Sequence, residues 1–373
     1  MEDLRYWIGF TLVKGIGAVR FQRLLDRFGD AESAWKAPTA ALAEAGLGAR
    51  LIERLDQVRQ GADLERIMEQ ILAHDIQVLT WQDEHYPQRL KEIEQPPPVL
   101  YLRGHILPED AWAVAIVGTR RVTSYGRAIA EELASFLVAN GITIVSGLAR
   151  GVDACAHQAA LNTGGRTLAV LGSGVDRIYP PENRQLASRI MEHGAVLSDY
   201  IPGTPPESSN FPPRNCIISG LSTAVVVVEA GESSGALITA EFAAEQGREV
   251  FAVPGNILAS QSKGTNKLIQ QGALPLLSAG DIMQTLNLSL VGQYKAARKV
   301  LPADEVEAQL MATLGDEPRH VDEVHQQTGL PVEKVSAALV LLELKGLVRQ
   351  VGNMHYVLVR EVQSDYSIND EQS

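Results

Sequence analysis

Short, uninterrupted apolar runs recur between residues 114 and 253, with helix-patterned stretches between them. They are Val114-Ala115-Ile116-Val117, Ile142-Thr143-Ile144-Val145, Thr167-Leu168-Ala169-Val170-Leu171, Ala195-Val196-Leu197, Val225-Val226-Val227-Val228 and Val250-Phe251-Ala252-Val253. A run that is apolar at nearly every position belongs to a strand covered on both faces. Its alternation with helices predicts a doubly wound, mainly parallel α/β sheet. Each run gives way to small or turn-forming residues, as in Gly118-Thr119-Arg120, Ser146-Gly147, Gly172-Ser173-Gly174, Glu229-Ala230-Gly231 and Pro254-Gly255-Asn256. In such a sheet the strand ends open onto a crevice beside helix N-termini, where backbone amides favour anions.

The flanks follow other patterns. Residues 1–75 read as short helices around two similar turns, Gly15-Ile16-Gly17 and Gly46-Leu47-Gly48, a doubled helix-hairpin-helix pattern. Either turn can hold a phosphate on its exposed amides, or simply join packed helices. Residues 76–110, with Gln95-Pro96-Pro97-Pro98, read as a connector, and 111–286 as the core. Residues 287–300 read as a linker. Over 301–360 the pattern is three helices (about 303–314, 320–328 and 332–345), then two strands around Gly352-Asn353, a winged helix. The polar tail 361–373 is expected to be disordered.

Charge narrows the function classes. The net charge is −12, yet residues 111–285 are almost neutral while both flanks are acidic. Within the centre, Arg120, Arg121 and Arg127 occur with no carboxylate between Asp110 and Glu131. A local positive site fits this distribution; a coat of positive charge over the whole chain does not. No apolar run approaches the ~18 residues of a membrane span, and Met1-Glu2-Asp3 does not resemble the start of an export signal. The two cysteines, Cys155 and Cys216, form no CxxC pair. A cytoplasmic protein is expected.

Several loops carry candidate chemistry. Gly118, Thr119, Arg120 and Arg121, with Thr123 and Ser124, offer close backbone approach, bidentate cations and hydroxyls to a phosphate. Asp153 and His157 stand at i, i+4, but two ligands make weak metal spacing, and a helix cap with a packed histidine is the plainer reading. Gly172-Ser173-Gly174 is GxG without the full GxGxxG. Asp199 lies in the loop after its strand rather than at the strand end, so dinucleotide binding is weakly supported. Phe211, Arg214 and Asn215 combine an aromatic, a cation and an amide, a set suited to base stacking and phosphate contact. Ser233, Ser234 and Gly235 precede one helix; Lys263 and Asn266 stand at another. No catalytic constellation stands out. Glu229 and Glu241 near a glycine-rich loop resemble nucleotide hydrolases of similar architecture, which is the enzyme alternative.

Taken in order, these motifs resemble the DNA-processing protein A (DprA, or Smf) family. The likeness rests on Ile116-Val117-Gly118-Thr119-Arg120, on Ser146-Gly147-Leu148-Ala149-Arg150-Gly151-Val152-Asp153, and on Gly172-Ser173-Gly174 with Tyr179-Pro180. It continues through Phe211-Pro212-Pro213-Arg214-Asn215, Ser234-Gly235-Ala236-Leu237-Ile238-Thr239-Ala240, and Pro254-Gly255 with Gly264-Thr265-Asn266. The resemblance implies an extended Rossmann-like core that binds single-stranded DNA, often as a homodimer. The N-terminal helices would be a helix-hairpin-helix or SAM-like accessory, and the C-terminal winged helix another. In the family this core protects incoming strands in natural transformation and loads RecA, with no cofactor or chemical step. By similarity Gly118, Arg120, Arg121, Gly172, Gly174, Arg214 and Lys263 would border the strand, with Thr119, Ser146, Gly147, Ser173, Phe211, Asn215, Ser233, Ser234, Gly235 and Asn266 beside them. The chain departs from the family at Cys216, where a second basic residue is common. Nine acidic and five basic residues over 301–360 favour a protein contact over a duplex grip for the winged helix.

Overall fold

The computed structural model describes residues 3–286 continuously. Beyond them it describes 288, 306, 309–310, 313–314, 318–344, 348–351 and 354–358. The chain divides into two compact units, Met1–Leu286 and Asn287–Ser373.

The first unit opens with helices α1 (Leu4–Thr11), α2 (Ala18–Phe28), α3 (Ala31–Lys36), α4 (Thr39–Glu44), α5 (Ala49–Gly61) and α6 (Leu64–Ala73). Gly17 and Gly48 immediately precede α2 and α5, so both turns lead into helices. An aromatic cluster holds these helices together. Trp7 meets Phe21 edge-on at 4.9 Å and Phe10 meets Trp35 at 5.1 Å. Such pairs add about 0.5–1.5 kcal/mol each beyond their burial. Trp7 also reaches Trp81 at 5.9 Å, and the cluster is continuous with the buried face of the sheet at Leu100 and Val196.

The segment read as a connector is part of that sheet. It supplies β1 (Gln77–Thr80), helix α7 (Gln88–Lys91) and β2 (Val99–Gly104). β1 pairs antiparallel with β2, which pairs antiparallel with β6 (Tyr101 opposite Ser198). Pro96-Pro97-Pro98 sits just before β2, where missing N–H groups cost no ladder bond.

The apolar runs form β3 (Ala113–Val117), β4 (Thr143–Ser146), β5 (Thr167–Val170), β6 (Ala195–Ser198), β7 (Ala224–Val227) and β8 (Glu249–Ala252). A two-residue β9 (Leu274–Pro275) completes the edge. The order is β1-β2-β6-β5-β4-β3-β7-β8-β9, and every neighbouring pair from β6 across to β9 is parallel. Helices α8 (Ser124–Ala139), α9 (Val152–Asn162), α10 (Arg184–His193), α11 (Phe211–Gly220), α12 (Gly235–Glu245), α13 (Lys263–Gln270) and α14 (Ala279–Thr285) cover the sheet. From β3 the chain winds outward through β4, β5 and β6, then returns to place β7 on β3's other side. The order therefore reverses between β3 and β7. A crevice opens at such a switch point, beyond the carboxyl ends of the strands.

The second unit is a small winged helix. Helices Val321–Thr328 and Val332–Leu344 pack around Val324, Leu339 and Leu342, beside a three-stranded sheet. That sheet runs β10 (Arg319–His320), β12 (His355–Leu358), β11 (Val348–Gln350) in spatial order. The linker apart from residue 288, most of the helix expected over 303–314, Gly352-Asn353 and the tail beyond Arg360 lie outside the described residues.

Candidate nucleic-acid interface

A cleft of about 620 Å³ occupies the switch point. The loop after β3 forms one wall with Gly118, Thr119, Arg120 and Arg121; Gly231, Ser233, Ser234 and Gly235 form the wall after β7. Phe211, Arg214 and Asn215 of α11 contribute the floor between them.

The β3 loop is fixed from β7. Thr119 N–H donates to the Glu229 carbonyl at 2.7 Å. The buried Glu229 carboxylate accepts from Thr123 N–H at 2.9 Å and from its hydroxyl at 2.5 Å. Thr123 Oγ1 in turn accepts from Gly126 N–H at 3.1 Å, capping α8. Only glycine fits at 118, because a Cβ there would lie 2.6 Å from Val152 Cγ2 and 2.9 Å from the Glu229 carbonyl. Glu229 thus holds the loop, while Glu241 is exposed on α12 and does not line the cleft. The two carboxylates of the hydrolase reading do not converge.

Arg120 and Arg121 are exposed at the mouth. The Arg120 guanidinium lies 5.4 Å from the Phe211 ring centre, within cation–π range. Tyr179, 37% exposed and also lining the cleft, sits 6.0 Å from Phe211 at 47°. In the sequence this second aromatic enters only through the Tyr179-Pro180 pair of the family likeness, with no site role assigned to it. Cations and π-faces at one crevice are the components that sequence-tolerant single-strand binding uses.

Arg214 has a different environment from the one its sequence context implies. It is 4% exposed, and its Nη1 donates to the Gly147 carbonyl at 2.6 Å and, more closely, to that of Val170. Burial pushes its pKa down to about 10, against the pull of Asp153. Burial also raises Asp153, whose carboxylate accepts from Gly147 N–H at 3.2 Å and Ala149 N–H at 3.4 Å. Arg214 therefore ties the ends of β4 and β5 together under Phe211, 5.6 Å from its ring, rather than standing free for a phosphate. Ser146 and the Gly172–Gly174 loop are likewise buried. Ser146 Oγ donates to the Ile116 carbonyl, Ser173 Oγ to that of Arg177, and Gly174 N–H to that of Thr204.

The remaining residues divide. Asn215 donates to the Gly235 carbonyl at 3.2 Å, joining α11 to the start of α12, which Ser234 caps. Lys263 is exposed at the first residue of α13 and lies outside the cleft lining. Gly264 N–H nevertheless donates to the Ala230 carbonyl, so this helix start is bonded to the β7 loop. Asn266 uses its side-chain amide on both the N–H and the carbonyl of Gly255. Asp153 and His157 do not share a site, since His157 Nδ1 meets Thr167 Oγ1 at 2.6 Å in the core. Among the described residues no cluster could hold a metal ion, and no helix is long and apolar enough to cross a membrane.

Sheet and C-terminal unit define a Rossmann-like α/β protein with a winged helix. A profile described as DNA recombination-mediator protein A matches residues 77–287, and one described as DprA winged helix domain matches 295–354. Protein Smf of Synechocystis sp. is 38% identical over 392 residues, covering 95% of this chain and 98% of that protein. DNA processing protein DprA of Bacillus subtilis is 44% identical over 224 residues, 60% of this chain and 75% of that one. The solved structure of DNA processing protein A from Streptococcus pneumoniae superposes with TM-score 0.67 at 34% identity, over 75% of this chain and 97% of its own. That of Helicobacter pylori, described for its single-stranded DNA binding mode, gives 0.51 at 31% identity, over 56% and 95%. The chain belongs to the DNA recombination-mediator protein A family.

Proposed function

We propose that the switch-point cleft binds single-stranded DNA, and that the protein uses this to protect incoming strands and load RecA in natural transformation or recombination. The supporting observation is the exposed Arg120–Arg121 pair beside the neighbouring rings of Phe211 and Tyr179, in a cleft walled by loop amides. The Helicobacter pylori relative, described for its single-stranded DNA binding, supports the same ligand. Phosphates meet cations and amide N–H groups, bases meet π-faces, and no bond is made or broken. Catalysis, cofactor and metal have no part in this reading. The acidic winged helix makes protein contacts, and the protein works in the cytoplasm as a homodimer through the Rossmann-like core. Exposed Ile257, Leu258 and Leu277, in the segments following β8 and β9, support a partner at that sheet edge.

One gel-shift series tests the reading. Single-stranded oligonucleotide is expected to shift at far lower protein concentration than the duplex, and added RecA to assemble faster on the protein-bound strand. Equal affinity for duplex rejects the strand assignment, and unaltered RecA assembly rejects the loading role. Released base after incubation with nucleoside monophosphates would instead favour the hydrolase.

A further inference from the structure

Helix α11 serves two cavities. Phe211, Arg214, Asn215 and Ile218 line the cleft, whereas Pro213, Cys216 and Ile217 line a second cavity of about 660 Å³. This places Cys216 away from the cleft, so the departure from the family pattern does not remove a cation from that wall.

The second cavity has an unusual combination of walls. Apolar surface comes from Pro96, Pro97, Pro98, Pro213 and Phe242. Its lining includes the carboxylates Glu92, Glu94, Asp199 and Glu245, and no lysine, arginine or histidine. Two of the lining side chains leave acceptors unanswered. Asp199 Oδ1 and Gln246 Oε1 are both shut off from water and both lack a hydrogen-bond partner. The Gln246 amide is held with its Nε2 on the carbonyl and sulfur of Cys216, at 3.1 and 3.2 Å, which leaves its oxygen as the unused end. A buried polar group without a partner is costly, so a ligand that supplies donors here recovers that cost.

We propose that this cavity receives an alkylguanidinium group, its charged head at Asp199 and Gln246 and its aliphatic stem among the prolines and Phe242. A guanidinium carries several N–H donors in a fixed plane and can serve a carboxylate and an amide oxygen together. It is also less strongly hydrated than an ammonium, so it loses less on entering an apolar-walled site. Binding requires the Asp199 carboxylate and the Gln246 amide, whose side chains line the cavity, to turn their buried oxygens toward it. Burial pushes Asp199 up to about 6, which leaves it charged at the pH of the experiment below. Glu92 lies 3.9 Å from the Arg248 guanidinium, and Glu94 and Glu245 keep the rim acidic, which opposes anions and favours entry of a cation. The inference does not depend on the DNA reading, since its acceptors lie outside the cleft lining.

Titration calorimetry of the full chain at about pH 7.5 tests it, with ethylguanidinium and ethylammonium as probes. Ethylguanidinium is expected to bind at least about tenfold more tightly than ethylammonium, and Asp199→Asn to weaken it by at least about tenfold, as expected for removal of one charge-assisted hydrogen bond. Cys216→Arg places a tethered guanidinium against the same cavity and is expected to abolish binding. This variant decides the question if Asp199→Asn fails to fold. N-acetyl-arginine amide and a capped Gly-Arg-Gly peptide distinguish the source. Tighter binding of the first supports a free metabolite, and tighter binding of the second supports an arginine presented by a polypeptide. Equal binding of the two cation types, an undiminished affinity in both variants, or no binding with only ordered water in the cavity overturns the proposal.

Discussion

At the scale of single residues, the informative side chains are those whose burial contradicts their polarity. Gly147 and Arg214 form one such unit. A Cβ at 147 would lie 2.4 Å from Arg214 Nη1 and 2.7 Å from its Cζ, and the guanidinium is held by two carbonyls and cannot move aside. Gly147→Ala is expected to lower stability by about 1–3 kcal/mol in urea unfolding, the usual cost of overpacking. Arg214→Met is expected to destabilise by at least about 2 kcal/mol, through the carbonyls it leaves unpaired. If it still folds, its DNA affinity should show the salt dependence of the parent; a shallower one would mean that Arg214 does touch phosphate. His157 supplies a pH signature. Thr167 donates its hydroxyl proton to the Ile144 carbonyl, so its oxygen accepts from His157 Nδ1–H and leaves Nε2 as a buried lone pair. Burial pushes this histidine down to about 3. The folded chain therefore stays neutral there while the unfolded chain takes up a proton near pH 6.5. The contribution is complete above pH 6.5 and declines as pH falls toward 3, by up to about 1.4 kcal/mol per unit. Asp199, raised by burial, acts in the opposite sense between its unfolded value and about 6. The comparison must therefore be between the protein and His157→Gln. Urea midpoints at pH 7.5 and 5 should differ less in the variant; parallel behaviour would mean that His157 is charged in the fold.

At the scale of elements, the two loops of the cleft are coupled through Glu229. Glu229→Ala removes the acceptor for both the N–H and the hydroxyl of Thr123 and frees the segment that carries Arg120 and Arg121. Both stability and single-strand affinity should fall, whereas Thr123→Ala should cost about 1 kcal/mol, the value of a helix cap. Affinity unchanged in Glu229→Ala would show that the loop holds its place without it. Elements of this kind differ in how plainly they can be read from sequence. β3 to β8 are each evident to within a residue or so, because strands buried on both faces have little choice of composition. β1 is not, since Gln77-Val78-Leu79-Thr80 is an edge with only two apolar residues. β9, at two residues with Pro275, has no pattern to detect. The role of Glu229 is hidden for another reason. Its partner is 106 residues away and becomes a neighbour only when β7 pairs with β3. Arg214 misleads for the same reason: an arginine beside a phenylalanine reads as a surface pair until the ends of β4 and β5 close over it.

At the scale of the whole molecule, a chain of net charge −12 is proposed to bind a polyanion through a few exposed cations in a nearly neutral centre. The acidic flanks suppress binding to phosphate elsewhere, so affinity should concentrate at the cleft. The same reading places a second copy at the β9 edge. Ile257→Asp combined with Leu258→Asp should halve the mass measured by light scattering while leaving the fold intact; an unchanged mass would put any dimer interface elsewhere. The most direct measurement is the salt dependence of binding to an unstructured single strand, compared between the protein and the Arg120→Ala/Arg121→Ala variant. Removing one cation from a phosphate should flatten the plot of log affinity against log salt by about 0.7. The double variant should therefore show a slope shallower by roughly 1.4 with its melting temperature unchanged. Identical slopes, in a variant that remains folded, would place the strand away from the switch-point cleft and contradict the account.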